Sequence, residues 1–558
     1  MRTTKVITLC LGLIAISHYG LDNLIDTAAT VEVDATQTTT MSWIIQGADS
    51  AAAIDAVGGT VTHELNIIDA TVAQLDAEQA ATLMAQPQLR LHRDAAVELM
   101  GYEDDIDDAD FEKSQVNVDT VYPELVFADA LHAQGIDGDG VTVAVLDTGL
   151  WKGYRGLKRN AWGDKRILAL YDARQDEEDK AGDRSGHGTH VTGIIANSDF
   201  VNGGYNGVAP NVNLVAIKAF NRFGEGTYAD VIRGLDWLLD NAHTYDIRIV
   251  NLSFSATPQS YYWDDPLNQA VMRLWQEDIF VVTSAGNTGS TPMSIGVPGN
   301  IPYVMTVGAM TDNFTPGDPS DDRLTSFSSV GPTVEGFVKP ELVAPGGHIN
   351  SIMKPNQRIA KDRPQYFVGD KYFTMSGTSQ AAAVVSGVAA LMLEADPSLT
   401  PDQIKCRMMS TARSAINGNG ELAYSPFQQG AGLVDAEMAV QGTLLDCANV
   451  GVDVDKDLSG EENYLGPTRW DSDTLSFYIE PTDGFYWDGT LGGGGYLWSG
   501  ASPWSDASPW SDASPWSDAS PWSDASPWSD GLPWEAEEMI WSGHLNEAMA
   551  INLWVEQE

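Results

Sequence analysis

The stretch that decides the fold is VTVAVLDTG, residues 141–149, in which an apolar run ends on Asp147 and a glycine turn. The run is continuous rather than alternating in polarity, as expected of a strand buried on both faces of a parallel sheet. Helical patterns separate it from later runs of the same kind, which are NLVAIKAF (213–220), RIVNLSFS (248–255), IFVVTSAGN (279–287) and VMTVGA (304–309). Residues 119–445 are therefore predicted to form an α/β domain with a central parallel sheet.

Asp147 lies at the carboxyl end of this first strand, where active-site residues of open α/β sheets gather. The motif Asp-Thr-Gly alone is weak evidence, because a lone Asp after a strand is commonly a turn or cap residue. Aspartic proteases also use this motif, but they need two such carboxylates, and the motif occurs once here. Its interpretation depends on the reactive side chains that accompany it.

Two further segments carry reactive side chains beside glycines. In SGHGTHVTGIIA (185–196), His187 stands between two glycines where a helix is predicted to begin. Pairing it with His190 as a metal site is poorly supported, since no Cys or carboxylate is near in sequence. In MSGTSQAAAVVSGVAALML (375–393), Ser379 is in the first turn of a helix that is apolar on nearly every side. On its own, this serine fits a helix cap as well as a nucleophile.

Together, Asp147, His187 and Ser379 resemble the catalytic triad of the subtilisin-like serine proteases, in the order that this family uses. The blocks DTG, HGTH and GTSxA carry the resemblance, which covers most of residues 121–436. It implies a three-layer α/β/α subtilisin-like domain with a central parallel sheet, and serine-type endopeptidase activity. Asn287, in VVTSAGNTG, matches the asparagine of the family's oxyanion hole.

The resemblance also implies two segments that hold an extended peptide as an added strand. Their matching residues are Gly224, Glu225 and Gly226 in one segment and Leu252, Ser253 and Phe254 in the other. Ser255 and Ala256 occupy positions where the family has glycines, so we expect a narrower pocket. This departure leaves the preferred cleavage residue open.

The N-terminal part of the chain reads as a secretory leader and a pro-region. Residues 1–28 contain a basic start and a short apolar run, which indicates a signal peptide with an uncertain boundary. Residues 40–100 resemble the small α+β inhibitory pro-domains of subtilisin-like enzymes. Residues 101–118 contain the acidic run EDDIDDADF and are predicted to be an exposed linker that is cut during maturation. The expected product is a secreted, extracellular enzyme whose pro-domain inhibits it before processing.

The chain is strongly acidic, with 31 Lys plus Arg against 78 Asp plus Glu and a formal charge of −47. This charge argues against binding to nucleic acid or to an anionic membrane. It suits salty surroundings or calcium loading equally well. No transmembrane segment is predicted, and we expect a monomer that acts on polypeptides. Catalysis of this kind requires no cofactor; a structural calcium ion is compatible with the family, but the sequence identifies no metal ligands.

The C-terminal extension, residues 446–558, contains ASPWSD five times in succession over residues 501–530. A six-residue period places all five indoles on one face of a strand or of a polyproline helix, although a low-complexity tail is equally compatible. The alternative function is therefore a Trp-repeat protein that binds a surface polymer and carries an accessory or inactive protease fold. Beyond Cys10 in the leader, the cysteines are Cys406 and Cys447. Export favours a disulfide between them, and two unrelated thiols are the alternative.

Overall fold

The computed structural model describes residues 40–94, 96–97, 118–480, 485–493, 555 and 557. A mixed sheet forms the centre of the domain, and its inner strands run parallel. From one edge to the other, its strands are Arg323–Leu324, Met305–Thr311, Phe280–Ser284, Ile247–Leu252, Thr142–Asp147, Asn213–Lys218, Ile167–Asp172 and Glu177–Glu178, and Leu342–Pro345 also pairs with Met305–Thr311.

Burial of these strands explains their sequence pattern. Every residue of Thr142–Asp147 and of Phe280–Ser284 is buried, so both faces of the sheet are covered. The apolar runs predicted as strands lie in this sheet, and the prediction of a three-layer α/β fold with a central parallel sheet is confirmed. Short antiparallel strands occupy its two edges.

Helices cover the sheet on both faces. His187–Ala196 and Thr378–Ala395 pack against each other and against the inner strands, while Tyr228–Tyr245 and Pro266–Gln276 form a second pair. Among the described residues, Thr378–Ala395 is the one helix long and apolar enough to cross a membrane, and 89% of its window is buried inside the protein. The other helices between residues 118 and 445 are Tyr122–Leu125, Ala128–His132, Arg155–Lys158, Arg358–Asp362, Pro401–Thr411, Pro426–Gln429 and Ala436–Gln441.

Residues 41–93 form a small α+β unit of their own. Its antiparallel sheet has the strand order Thr60–Leu65, Ala70–Leu75, Met41–Gln46 and Arg90–Arg93, and the helices Ser50–Ala56 and Ala77–Met84 connect the strands. Asp76 and Gln79 cap the second helix reciprocally. The outer face of the sheet contributes Ile44 and Val72 to the main hydrophobic core, so this unit packs directly on the α/β domain.

Residues 446–493 continue the α/β domain. Cys447 is disulfide-bonded to Cys406, with their Cα atoms 5.1 Å apart. Trp487 packs its ring 5.3 Å from that of Phe427 and is 1% exposed, so this part of the extension shares the domain core. Its elements are Val454–Ser459, Thr468–Asp471, Ser476–Ile479 and Tyr486–Trp487. The Trp repeats of residues 501–530 and the predicted signal peptide lie outside the described residues.

Small sheets and turns complete the structure. Ile349–Ile352, Phe367–Val368 and Tyr372–Met375 form one antiparallel sheet, Phe200–Val201 and Gly204–Tyr205 form a hairpin, and Ala96–Val97 pairs with Gly226–Thr227. Short 3₁₀ turns lie at Asn66–Ile68, Pro319–Asp321 and Pro364–Tyr366.

Candidate active site

Asp147 and His187 meet at the carboxyl edge of the central sheet. Asp147 is the last residue of its strand, and His187 is the first residue of the helix His187–Ala196. Nδ1 of His187 lies 2.8 Å from both carboxylate oxygens of Asp147, and each side chain is 1% exposed. Nε2 of His187 is also buried and has no hydrogen-bond partner within the described parts of the chain. The carboxylate therefore holds the imidazole by one nitrogen and leaves the other available to a reactant.

Gly188 lets these two segments approach each other. A Cβ atom at this position would lie 2.3 Å from the carbonyl oxygen of Gly149 and 3.1 Å from the Asp147 carboxylate. Its N–H also donates to the Thr148 hydroxyl at 2.9 Å. A side chain at residue 188 would push His187 away from Asp147, which explains the glycine after the histidine.

Asp183 anchors the turn that precedes His187, and the sequence motifs did not identify it. Its Oδ1 accepts from the main-chain N–H groups of Ser185 and Gly186 at 2.8 and 2.9 Å, and from the Thr148 hydroxyl at 3.0 Å. Its Oδ2 accepts from both the N–H and the hydroxyl of Thr189. One carboxylate therefore joins the residue after Asp147 to both sides of His187. An Asp four residues before a predicted helix start was the available signal.

Ser379 lies in the first turn of the helix Thr378–Ala395 and is 4% exposed. Asn287 reaches this turn from the end of the neighbouring strand Phe280–Ser284. Oδ1 of Asn287 accepts from the N–H of Thr378 at 2.9 Å and from its hydroxyl at 2.8 Å. These two bonds fix the orientation of the amide, and its Nδ2 lies near Gly377, where an added Cβ atom would be 3.3 Å from it.

The hydroxyl of Ser379 donates to the main-chain carbonyl oxygen of Ser253 at 3.1 Å. The Ser253 hydroxyl in turn donates to the carbonyl oxygen of Ser379, and Asn251 donates to that hydroxyl at 2.7 Å. Ser253 therefore adjoins Ser379 directly, while its assignment to a peptide-binding segment stays a prediction. The side chains of Leu252 and Phe254 are buried, so contacts from these residues to a peptide would use the main chain.

The two predicted peptide-binding segments meet through Phe220. Its ring packs 5.3 Å from that of Phe254, and a Cβ atom on Gly226 would lie 3.0 Å from it. Gly226 itself is hydrogen-bonded in an antiparallel ladder to Val97 of the N-terminal region. The edge formed by Gly226 and Thr227 is therefore paired with an extended segment of the same chain, Ala96–Val97. The Glu225 carboxylate accepts from Asn221 at 2.7 Å, which closes the turn beside it.

The hydroxyl of Ser255 lies beside two glycines, Gly286 and Gly296. A Cβ atom built on Gly296 would be 2.0 Å from its hydroxyl oxygen, and one on Gly286 would be 3.2 Å away. The hydroxyl therefore fills space between these glycines, one of which precedes Asn287. The narrower pocket expected from Ser255 stays a prediction.

Candidate metal ligands were sought among the described side chains. Among these residues, no group of three or more His, Cys, Asp and Glu side chains converges. Oδ1 of Asn197 accepts from the Asp199 N–H, and Oδ1 of Asn206 accepts from the Thr120 hydroxyl. A structural calcium ion stays a prediction. Burial lowers the pKa of His190 to about 3, and its Nε2 bonds the Phe373 carbonyl. His190 does not share a site with His187.

Comparison with known proteins agrees with this geometry, because residues 138–432 match the subtilase family, Peptidase S8. This chain belongs to the subtilase family. It is a subtilisin-like serine protease, as the family resemblance predicted. It is 39% identical over 317 residues to serine protease AprX of Bacillus subtilis, covering 56% of this chain and 68% of that protein. It is 33% identical over 319 residues to subtilisin DY of Bacillus licheniformis, covering 57% and 97%.

The fold of this subtilase also matches a solved structure. Fervidolysin from Fervidobacterium pennivorans, described as a keratinolytic enzyme related to subtilisin, aligns with a TM-score of 0.54. The sequence identity is 24%, and the match covers 74% of this chain and 62% of fervidolysin. Because the subtilase spans less than two thirds of that protein at low identity, this likeness supports the fold alone.

Proposed function

We propose that this subtilase is a secreted endopeptidase that uses Asp147, His187 and Ser379 as its catalytic triad. The observation that carries the proposal is the buried pair of His187 and Asp147, which leaves Nε2 of the imidazole without a partner among the described residues. A serine hydroxyl is a poor nucleophile near neutral pH, so His187 accepts its proton and then donates it to the leaving amine. Asp147 fixes the imidazole tautomer and stabilises the imidazolium.

In this proposal, Ser379 attacks the peptide carbonyl to form an acyl-enzyme, which water then hydrolyses. The hydroxyl first rotates from the Ser253 carbonyl towards Nε2 of His187. Negative charge then develops on the former carbonyl oxygen. The Asn287 amide and the main-chain N–H of Ser379 provide donors for this oxyanion, and Thr378 holds the amide in place.

The N-terminal unit is proposed to inhibit the enzyme before maturation. Ala96 and Val97 pair with Thr227 and Gly226, so they occupy an edge that a substrate peptide needs. Asp236 of the α/β domain accepts from the N–H groups of Asn66 and Ile67 at 3.1 and 2.9 Å, which fixes the unit over the domain's helices.

Maturation then requires a cut between Val97 and Val118, because Val97 pairs with this edge while Val118 is buried and its carbonyl accepts from Asn206. N-terminal sequencing of the secreted form tests this. A first residue between 98 and 118 is expected, and one outside that interval contradicts it.

Kinetics of single variants test the triad. His187→Ala and Asp147→Asn are each expected to lower kcat on a fluorogenic peptide by about 10⁴-fold or more, because the first removes the base and the second favours the wrong tautomer. Ser376→Ala is the matched control, since this serine is in the same segment as Ser379 but bonds the His348 N–H and Gln557. A wild-type chain that cleaves nothing after removal of its N-terminal unit would instead favour the polymer-binding alternative.

A further inference from the structure

Two arginines flank the peptide-binding edge and stack on the same aromatic ring. The guanidinium carbon of Arg222 lies 4.5 Å from the centroid of Phe223, and that of Arg358 lies 4.8 Å from it. Arg222 is exposed, while Phe223 and Arg358 are half-buried. Phe223 immediately precedes Gly224, so this cationic rim, which we define as Arg222, Phe223 and Arg358, adjoins the edge that Val97 occupies.

The rim also connects this edge to the segment that carries His187. Arg358 begins the helix Arg358–Asp362, and its main-chain N–H donates to the carbonyl oxygen of Arg184 at 2.9 Å. The next N–H in that helix, from Ile359, donates to the carbonyl oxygen of Ser185 at 3.0 Å. The main chain that carries the Arg358 guanidinium is thus tied to the turn before His187, so the cationic rim adjoins both the peptide-binding edge and that turn.

A bound peptide would run past this rim before it reaches the base. Ala96 faces Thr227 and Val97 faces Gly226, so the two chains run in opposite directions. A peptide that continues in this register passes Glu225 and Gly224 and then approaches Phe223. The residues that precede the scissile bond therefore come closest to Arg222 and Arg358.

The local charge is opposite to that of the whole chain. Residues 354–371 contain five Lys and Arg against two Asp, although acidic residues outnumber basic ones by 78 to 31 overall. Among the nearby carboxylates, Asp362 pairs with Arg358 of the rim itself at 2.5 Å, while Glu225 accepts a hydrogen bond from Asn221 and Asp183 accepts from its own turn. Arg222 and Arg184 have no ion-pair partner among the residues that the structure describes.

The chain itself supplies a peptide of complementary charge. Glu98 directly follows Val97 in the sequence, and seven of the ten residues from Glu103 to Glu112 are acidic. A cation attracts a carboxylate more strongly than it attracts a neutral amide of the same shape. An acidic segment therefore matches the rim.

We infer that Arg222 and Arg358 are specificity-determining residues, which make this subtilase prefer peptides with Asp or Glu in the three positions before the scissile bond. The inference rests on the proposed endopeptidase function. It extends that function by naming an acidic class of substrate, of which the chain's own linker is the first example.

Paired fluorogenic peptides that differ only by Glu or Gln at each of these three positions test the inference on the mature enzyme. The wild type is expected to cleave the Glu peptide with a kcat/KM about tenfold higher at one position or more. Arg222→Gln with Arg358→Gln is expected to bring that ratio to about one, mainly by lowering kcat/KM for the Glu peptide. Arg273→Gln, on the helix Pro266–Gln276, is the control and should retain the ratio.

A second measurement does not depend on the variants folding. The Glu/Gln ratio of the wild type is expected to fall as salt is raised from about 0.01 to 1 M, because screening shortens the range of the charges. A ratio of one in the wild type, or a ratio that survives the double substitution, would overturn the inference while leaving the endopeptidase intact. Failure to cleave either peptide, with no labelling of Ser379 by a fluorophosphonate, would refute the proposed function itself.

Discussion

Ser379 and Ser253 are bonded to each other in both directions. The hydroxyl of Ser379 donates to the carbonyl oxygen of Ser253 at 3.1 Å, and the hydroxyl of Ser253 donates to the carbonyl oxygen of Ser379 at 3.0 Å. The pair joins the end of an inner strand to the first turn of the helix Thr378–Ala395. Asn251 and Ser386 extend this buried network beneath the serine, with bonds of 2.7 and 3.0 Å.

Ser253→Ala tests what this network contributes. The substitution removes a hydroxyl that is fully buried and leaves Nδ2 of Asn251 without its acceptor. We expect the free energy of unfolding to fall by about 1–3 kcal/mol, the usual cost of an unsatisfied buried donor. Because the main-chain carbonyl remains, kcat should fall by less than about tenfold. Urea unfolding in a Ser379→Ala background and kinetics on the active chain separate these effects; a large loss of kcat without loss of stability would contradict this role.

Asn287→Ala is expected to lower kcat by about 10²–10³-fold, with a much smaller change in KM, because it removes one donor to the oxyanion. Thr378→Val keeps the shape and the main-chain bond at 2.9 Å but removes the hydroxyl bond to Asn287 at 2.8 Å. It also removes the acceptor of the Gly286 N–H at 3.3 Å. It should therefore lower kcat by only about 3–10-fold, since both lost bonds join neutral groups. Steady-state kinetics on one peptide compare the two variants. Equal losses in both, or an unchanged kcat in Asn287→Ala, would remove the asparagine from this role.

Asp236→Asn is expected to loosen the N-terminal unit. Its two carboxylate oxygens accept from Asn66 and Ile67, and an amide would oppose one of these N–H groups with its own. A charge-assisted hydrogen bond contributes about 1.5–3 kcal/mol. Its loss should lower the equilibrium constant for docking of the N-terminal unit by roughly tenfold or more. In a Ser379→Ala chain, an added protease should therefore digest residues 40–94 about tenfold faster.

Asp240→Asn is the matched control for that experiment, because Asp240 is exposed on the same helix, Tyr228–Tyr245. Its digestion rate should equal that of the parent chain. Similar rates for all three chains would show that Asp236 does not hold the unit in place.

Asp457 makes stability depend on pH between about 4 and 6. Burial raises the pKa of Asp457 from 3.8 to about 6, although the hydroxyl groups of Tyr262 and Tyr303 donate to it. Since the folded chain binds this proton more tightly than the unfolded chain, the contribution is fully present below pH 4 and is lost as the pH rises towards 6. Two pKa units amount to about 3 kcal/mol.

Asp457→Asn should therefore flatten the pH dependence of Tm across this window, measured in a Ser379→Ala background to prevent self-digestion. Part of the slope should remain, because burial also raises the pKa of Asp265 to about 6 and that of Glu335 to about 7. An unchanged slope would show that Asp457 is not the group that titrates.

The sequence predicted the central sheet because both faces of its strands are buried, which leaves a continuous apolar run such as residues 142–147. Short motifs also assigned Asp147 and His187 to one predicted site, and in the structure Nδ1 of His187 lies 2.8 Å from the Asp147 carboxylate. Glycines made these motifs recognisable, since a side chain at residue 188 would collide with Gly149 in the turn that follows Asp147. Local pattern was sufficient because both segments end at the same edge of the sheet.

Other features depend on contacts between residues far apart in the sequence. Asp236 accepts from Asn66 and Ile67, which precede it by 170 and 169 positions in the sequence. Asp457 accepts from Tyr262 across 195 positions. Neither aspartate lies in a recognisable motif. The packing of Trp487 on Phe427 likewise joined part of the predicted C-terminal extension to the domain core. Scattered aromatic residues carry no periodic signal that would indicate such packing.

The residue that a serine-directed reagent modifies tests the central claim most directly. We predict that a fluorophosphonate adds one adduct per mature chain and that peptide mass spectrometry locates it on Ser379. Ser379→Ala should remain unlabelled, while Ser376→Ala should be labelled like the wild type. An adduct on any other serine, or labelling that persists in Ser379→Ala, would contradict the proposed nucleophile.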